Sequence, residues 1–216
     1  MRKVSFIEKE FYHIFNRGVD KRNIFLSKED ISRFLESMEE FNCIEPVGSI
    51  LEQRVSRKLG RPTSNESGEK LVNIICYCLN PNHFHFILEQ CADNGISEFM
   101  KRLSGGYAKY FNEKYKREGA LFQGRFKSVH IDSNEYLLYV SSYVNLNYIV
   151  HGIKKDQIFT SSWEEYVGKI KKSICKSDII LGQFKTKQEY GHIARETAAQ
   201  IGKKRYEEKM GRFFLE

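Results

Sequence analysis

Two histidines separated by one residue, His83 and His85, are the strongest candidates for chemistry in this sequence. They open a short apolar run that is typical of a β-strand, and side chains two apart on a strand project from the same face. Both imidazoles could therefore bind one metal ion while Phe84 points the other way, into the core. Isolated pairs of this kind also occur as polar surface residues, so the pair alone leaves both readings open.

Tyr143 and Asn147 form a second candidate pair. They are four residues apart in a stretch predicted to be helical, so they share one face of the helix. If this helix packs beside the histidine strand, the amide oxygen of Asn147 could complete a metal site of two histidines and one oxygen. Tyr143 could then attack a phosphate bound there. Spacing alone equally allows Tyr143 to be a packing residue, because the chain has 12 tyrosines.

The elements that must position these residues alternate between strands and helices. In order, the sequence predicts a strand at 11–15, a helix beginning at a capping box on Ser27, strands at 71–79 and 83–89, a helix at 96–117, a strand region at 120–131 and a helix at 134–147. These are too few strands for a parallel doubly wound sheet. We therefore predict an α+β fold with helices packed on a mostly antiparallel sheet.

Two segments lie outside this pattern. Residues 53–70 are polar, charged and glycine-containing with little periodicity, which predicts an exposed loop inserted in the domain. The residues after 165 are predicted to form a separate helical appendage. We therefore expect a catalytic domain at 1–165 and a C-terminal helical extension of unknown role at 166–216.

Composition favours a polyanionic partner. Lys and Arg number 35 against 28 Asp and Glu, which gives a net charge of +7 and a pI near 9.0. No run of about 18 apolar residues is available to span a bilayer, and the first residues lack the apolar core of a signal peptide, so we expect a cytoplasmic protein. The cysteines show no paired spacing and are predicted to be reduced core residues: Cys43, Cys76, Cys78, Cys91 and Cys175.

Several blocks of the sequence, in their order and spacing, are specific enough to identify a family. They are Tyr-His-Ile-Phe-Asn-Arg-Gly at 12–18, Cys-Leu-Asn-Pro-Asn-His-Phe-His at 78–85, Gly-Ala-Leu-Phe-Gln-Gly-Arg-Phe-Lys-Ser at 119–128, Tyr-Val-Asn-Leu-Asn at 143–147 and Ser-Ser-Trp-Glu-Glu-Tyr at 161–166. This set resembles the single-tyrosine HUH transposases of the IS200-like family, specifically the branch called REP-associated tyrosine transposases. The chain differs from the usual family pattern at Asn80, where Met is common, and at Tyr148, where Pro is common.

The resemblance implies a ferredoxin-like HUH nuclease fold and a role for each candidate. His83, His85 and Asn147 would bind a divalent metal, Mg²⁺ or Mn²⁺, and Tyr143 would be the nucleophile. The implied substrate is single-stranded DNA with a hairpin or palindromic repeat, cleaved and rejoined through a 5′-phosphotyrosine link. The resemblance to this branch implies a monomer, and a homodimer is the alternative.

Basic residues near these blocks are candidates for contact with DNA phosphates. They are Arg17, Lys101, Arg102, Arg125 and Lys127, of which the pair in Gly-Arg-Phe-Lys at 124–127 ranks first because it lies in a family block. His13 is interpreted as a packing residue or a residue that supports the site. The other three histidines, His130, His151 and His192, have no partner at a useful spacing.

Three other functions remain possible from the residues. A nucleic-acid-binding regulator that no longer cleaves would keep the basic surface, but would need neither Tyr143 nor a metal. A metal-dependent hydrolase acting through water would be expected to have a carboxylate-rich site, and only Glu89 lies near the histidines. A rolling-circle initiator or relaxase shares the two histidines, but here they precede the tyrosine, which favours the transposases.

Overall fold

A computed structural model describes residues 5–45, 48–60, 68–154, 156–170 and 173–213. The strands of this part of the chain are β1 (Phe11–Arg17), β2 (Val72–Asn80), β3 (His83–Gln90), β4 (Lys127–Ile131) and β5 (Thr160–Ser161). The helices are α1 (Lys28–Glu40), α2 (Ile50–Lys58), α3 (Gly95–Lys114), α4 (Asn134–Asn145), α5 (Asn147–Val150), α6 (Trp163–Tyr166), α7 (Asp178–Leu181) and α8 (Lys187–Phe213).

The strands form one five-stranded sheet in the order β4-β1-β3-β2-β5, and every neighbouring pair is antiparallel. Strands β1 to β4 alternate with α1 and α3 in the β-α-β-β-α-β order of ferredoxin-like folds. The predicted α+β fold with helices on an antiparallel sheet is confirmed. Strands β2 and β3 form a tight hairpin in which Asn80 pairs with His83 across a turn of Pro81 and Asn82.

The sheet has an apolar core on each face. On one face β1 and β3 pack against α1 and α3, and this core includes Tyr12, Ile14, Phe34, Phe84, Phe86 and Tyr107. The opposite face packs against α4 and the C-terminal helices, with Ile75, Ile87, Val140, Val144, Trp163 and Tyr190 in its core. Because side chains alternate along β3, His83 and His85 lie on the face that α4 covers.

The predicted capping box opens α1. The side chain of Asp30 accepts hydrogen bonds from the backbone N–H groups of Leu26 (2.8 Å) and Ser27 (3.0 Å). Phe34 and Met38 then follow on the buried side of the helix. The helix predicted from its start signal is confirmed.

The prediction of a loop at 53–70 is wrong for its first residues, because α2 continues to Lys58. A second capping box starts this helix: Ser49 N–H donates to Glu52 Oε2 (2.8 Å), and Glu52 N–H donates to Ser49 Oγ (3.2 Å). Arg54 also pairs with Glu36 of α1, with Nε 2.7 Å from Oε1. These polar contacts stabilise a helix whose apolar residues Leu51 and Val55 are exposed, with only Ile50 buried. Residues 61–67 of the predicted loop lie outside the described residues.

Two other boundaries differ from the predictions. Of the strand region at 120–131, only Lys127–Ile131 joins the sheet as a strand, while Phe122 makes a single bridge to Gly18. The helix predicted to reach Asn147 ends at Asn145, and Asn147 begins the next short helix, α5. The chain therefore bends between Tyr143 and Asn147.

The C-terminal helices pack against the sheet and α4. Tyr190, Ala194 and Ala198 of α8 are buried in the same core as Val140 and Val144 of α4. Asn145 Nδ2 donates a hydrogen bond of 2.8 Å to the Tyr190 hydroxyl. These contacts fix α8 on the face of the sheet that carries the histidines.

All five cysteines are free thiols, as predicted, but the prediction of a core position is wrong for Cys91. Cys43, Cys76 and Cys78 are buried, Cys175 is partly buried, and Cys91 is exposed. Among the helices in the described ranges, none has both the length and the apolar character needed to cross a membrane.

Candidate active site

The hairpin of β2 and β3 holds His83 in a fixed orientation. His83 Nδ1 lies 2.6 Å from Asn82 Oδ1, and an amide oxygen can only accept, so the proton of the neutral ring is on Nδ1. The lone pair of Nε2 is then free to accept, and Asn80 Nδ2 donates to it at 2.9 Å. The same atom is therefore available as a metal ligand.

Asn147 meets His83 beneath α4. Its side chain is fully buried, and its Oδ1 lies 3.2 Å from His83 Nε2. This oxygen accepts a hydrogen bond of 2.7 Å from Asn80 Nδ2, which thus contacts both candidate ligands. The Asn147 Nδ2 is buried without a hydrogen-bond partner among the described residues. Buried donors normally have an acceptor, and this one is available to donate to a bound ligand.

His85 is buried and is supported by His13 of β1. His85 Nδ1 and His13 Nε2 are 2.8 Å apart, and the two rings stack with centroids 5.1 Å apart. Burial lowers the pKa of His13 to about 4 and holds the pKa of His85 well below its ordinary value. Both rings are therefore neutral near pH 7, the state in which imidazole binds a metal. The interpretation of His13 as a supporting residue agrees with this contact.

Tyr143 lies against both of these rings. Its ring meets that of His85 nearly at a right angle, with centroids 5.5 Å apart, and that of His13 at 5.9 Å. Burial raises the pKa of the Tyr143 hydroxyl, while Asn147 and Arg205 beside it act in the opposite direction. The phenol is therefore protonated at neutral pH. The polar groups beside its hydroxyl are the amide of Asn147 and the guanidinium of Arg205.

His151 also belongs to this site, and the interpretation that it had no useful partner is wrong. The candidate ligand atoms of His83, His85 and His151 all lie within 4.8 Å of one another. His151 directly follows α5. In the sequence, Tyr143, Asn147 and His151 occur at successive steps of four residues. That spacing is the sequence signal that could have identified His151.

Arg205 of α8 reaches the site from the C-terminal part of the chain. Its Nη1 donates a hydrogen bond of 2.9 Å to His151 Nε2, although the two residues are 54 positions apart. No local pattern could predict this contact, because it depends on how α8 packs against α4.

The histidines of the β3 strand, together with Tyr143, His151 and Arg205, line one cavity of about 490 Å³. Its lining residues are Phe15, Asn16, Arg17, Lys21, Asn82, His83, His85, Gln123, Lys127, Tyr143, His151 and Arg205. Four of them are Lys or Arg, and none of these twelve is a carboxylate. The cavity therefore suits an anionic ligand.

The structure brings some of the predicted DNA contacts to this cavity and not others. Arg17 and Lys127 line it, and Arg125 is exposed on the segment that leads into β4. Lys101 and Arg102 lie on α3, on the other side of the sheet. Arg102 is also committed to local contacts, since its Nη1 donates to the Cys43 carbonyl at 2.7 Å. For Lys101 and Arg102, DNA binding stays a prediction that the geometry does not favour.

The donor set fits a divalent transition metal. Two neutral imidazoles, His83 and His85, face the cavity, and either the Asn147 oxygen or the His151 ring could be a third ligand. The ligand rings also have the outer hydrogen bonds that orient metal-binding histidines, through Asn82 and His13. Mixed nitrogen and oxygen donors suit Mn²⁺ better than Mg²⁺, which prefers oxygen ligands.

A comparison with known families matches part of the chain. The sequence model described as "Transposase IS200 like" matches residues 43–147, a range that includes both histidines, Tyr143 and Asn147. The segment that carries these candidate residues is thus similar to the IS200-like transposases, in agreement with the family predicted from the motifs. None of the curated proteins matches the chain.

Two solved structures are similar to parts of this one. The first is a REP-associated tyrosine transposase bound to a REP hairpin, with 16% identity, a TM-score of 0.49, and coverage of 81% of this chain and 88% of that one. The second is a candidate transposase from Deinococcus radiodurans R1, with 13% identity, a TM-score of 0.36, and coverage of 67% of this chain and 95% of that one.

Proposed function

We propose that this protein is a transposase of the REP-associated branch that cleaves and rejoins single-stranded DNA through a 5′-phosphotyrosine intermediate. One observation carries the proposal: Tyr143 lines the same cationic cavity as His83 and His85, and Asn147 lies against His83 beneath it. A nucleophile, a candidate metal site and an anion-binding surface therefore meet at one place. A hairpin or palindromic repeat beside the cleaved strand is the proposed recognition element.

In the proposed reaction the oxygen of Tyr143 forms a bond to the scissile phosphorus. The bond from phosphorus to the 3′ oxygen breaks, and that oxygen leaves with the electron pair and is protonated, which balances the proton that the Tyr143 hydroxyl loses as it attacks. The DNA is left with a 5′-phosphate on Tyr143 and a free 3′-OH. Because the phosphodiester energy is kept in the tyrosine ester, a 3′-OH can reverse the step and join strands at the same site.

The residues that would hold the metal are His83, His85 and Asn147. When bound, Mn²⁺ or Mg²⁺ would neutralise negative charge on the scissile phosphate. Asn80 and Asn82 hold His83 with its Nε2 available, and His13 orients His85. The unpartnered Nδ2 of Asn147 is placed to donate a hydrogen bond to an oxygen of a bound ligand.

Arg17 and Lys127 are the proposed phosphate contacts at the cavity, since both line it from neighbouring strands or their ends. Arg125, on the adjoining segment, would extend this surface along the DNA. These contacts would bind the backbone without reading its sequence, so the hairpin must be recognised elsewhere.

The proposal is tested by incubating the protein with single-stranded oligonucleotides from the DNA that flanks its gene, with Mn²⁺, Mg²⁺ or a chelator. We expect a covalent protein–DNA species on a denaturing gel, present with metal and absent with chelator. Tight binding to these oligonucleotides with no covalent species under any condition would contradict cleavage and would instead favour a regulator that binds DNA.

A further inference from the structure

Arg205 is placed in the candidate active site by a helix with no assigned role. Its guanidinium donates to His151 Nε2 at 2.9 Å, and it lines the same cavity of about 490 Å³ as His83, His85 and Tyr143. The site therefore includes a group from the C-terminal helix, outside the matched range of 43–147.

The contacts of Arg205 leave its charge uncompensated. Its polar neighbours are the His151 imidazole and the protonated Tyr143 hydroxyl, and neither brings a negative charge. Among the described residues no carboxylate forms an ion pair with Arg205, and none lines the cavity. An arginine uses several N–H donors in a planar fork that matches phosphate, so donors remain for an anionic ligand.

The helix that carries Arg205 is firmly attached. Tyr190, Ala194 and Ala198 are buried against α4, which also carries Tyr143. The hydrogen bond from Asn145 to the Tyr190 hydroxyl joins the two helices close to the nucleophile. Arg205 and Tyr143 are therefore positioned relative to each other by packed elements, as preorganised transition-state stabilisation requires.

We propose that Arg205 is a catalytic residue of the strand-cleavage reaction, binding the non-bridging oxygens of the scissile phosphate as Tyr143 attacks it. This inference rests on the proposed function. Negative charge on these oxygens must be stabilised as the bond from the tyrosine oxygen forms and the bond to the 3′ oxygen breaks. His151 is the positioning residue that holds the guanidinium at the cavity.

The test compares Arg205→Ala and Arg205→Lys with Lys203→Ala. Lys203 is a matched control, since it lies on the same helix with its side chain 80% exposed and pairs with Glu207 rather than the site. Two readouts are used: the rate of covalent adduct formation on flanking oligonucleotides, and the salt dependence of binding to a single-stranded oligothymidylate.

We expect Arg205→Ala to slow adduct formation by about 100-fold. It should also reduce the slope of log affinity against log salt by about 0.7, the value for one lost phosphate contact on a single strand. Arg205→Lys should keep the slope but recover only part of the rate, because lysine keeps the charge and loses the fork. Lys203→Ala should match the wild type in adduct rate.

Two results would overturn the inference. One is an Arg205→Ala protein with the adduct rate and the salt slope of the wild type. The other is an Arg205→Ala protein that forms the adduct faster than the wild type, which would mean that α8 covers the site. If the wild-type protein forms no adduct, the proposed function fails, and the oligothymidylate slopes alone decide whether Arg205 contacts phosphate. An unchanged slope in that case also overturns the inference.

Discussion

Asn147 Oδ1 lies 3.2 Å from His83 Nε2, and Asn80 Nδ2 donates to both atoms at 2.7 and 2.9 Å. These three side chains come from the two strands of a hairpin and from the start of α5. The contact joins a residue predicted as a metal ligand to another predicted ligand that lies 64 positions away. Asn80 is thus the residue that holds the two candidate ligands together.

Replacing Asn80 should weaken metal binding without removing a ligand. We expect Asn80→Ala to lower Mn²⁺ affinity by roughly 10- to 100-fold, the usual effect of losing an outer hydrogen bond to a ligand. Isothermal titration calorimetry on the metal-free protein measures this. Asn73→Ala is the control, because Asn73 lies on the same strand and bonds Glu89 instead. Equal affinity in both variants would show that Asn80 does not support the site.

Spacing alone allows His83 and Asn147 to meet if their elements pack together, and the family resemblance predicts that they do. Spacing placed Tyr143 and Asn147 on one helix face, and the helix in fact ends between them at Asn145. The side chains still converge because α5 begins at once and keeps Asn147 under the sheet face that carries His83. The register of two elements against each other depends on tertiary packing, which local periodicity does not encode.

The choice between two sets of metal ligands follows from the contacts of His151. Because Arg205 donates to His151 Nε2, we expect His83, His85 and Asn147 to be the ligands and His151 to position Arg205. Asn147→Ala should then lose most of the Mn²⁺ affinity, whereas His151→Ala should lose less than the roughly 10-fold that removal of an outer hydrogen bond to a ligand costs. Calorimetry on both variants checks this. The reverse order of affinities would make His151 the third ligand.

The structure places the two lysines predicted to bind DNA on different sides of the sheet. Lys127 lines the cavity, whereas Lys101 lies on α3 and pairs with Glu98 at 3.3 Å. We expect Lys127→Ala to reduce the salt slope of single-strand binding by about 0.7 and Lys101→Ala to leave it unchanged. Fluorescence anisotropy at several salt concentrations gives both slopes. A reduced slope for Lys101→Ala would extend the DNA-binding surface to α3.

The buried histidines predict how stability depends on pH. Burial lowers the pKa of His13 from 6.5 to about 4 in the folded state. Between these values the unfolded chain binds more protons, so the free energy of unfolding must fall as pH falls. From this group alone we expect a loss of about 1 kcal/mol between about pH 7.5 and 5.5. The lowered pKa of His85 acts in the same direction.

Urea denaturation of the metal-free protein at the two pH values measures this effect. The His13→Gln variant is the comparison, since it keeps a polar side chain and removes the titrating ring. Its stability should depend less steeply on pH than that of the wild type. Parallel curves for the two proteins would mean that His13 does not carry the pH dependence.

How well each part of the site could be predicted depends on how far apart in the sequence its residues lie. His83 and His85 follow from a two-residue spacing on a strand, and the family blocks added Tyr143 and Asn147. His151 continues the same four-residue spacing, but its partners His83 and His85 lie on a strand more than 60 positions away in the sequence. Arg205 could not be found, because its place depends on the burial of Tyr190, Ala194 and Ala198 against α4.

The identity of the nucleophile is the central claim, and adduct formation by Tyr143→Phe and Tyr139→Phe tests it most directly. Tyr139 lies one turn earlier on the same helix and is 49% exposed, so it controls for loss of a tyrosine hydroxyl. With Mn²⁺ and flanking single-stranded DNA, we expect the covalent species to disappear in Tyr143→Phe and to remain at wild-type level in Tyr139→Phe. A covalent species that persists in Tyr143→Phe would contradict the claim.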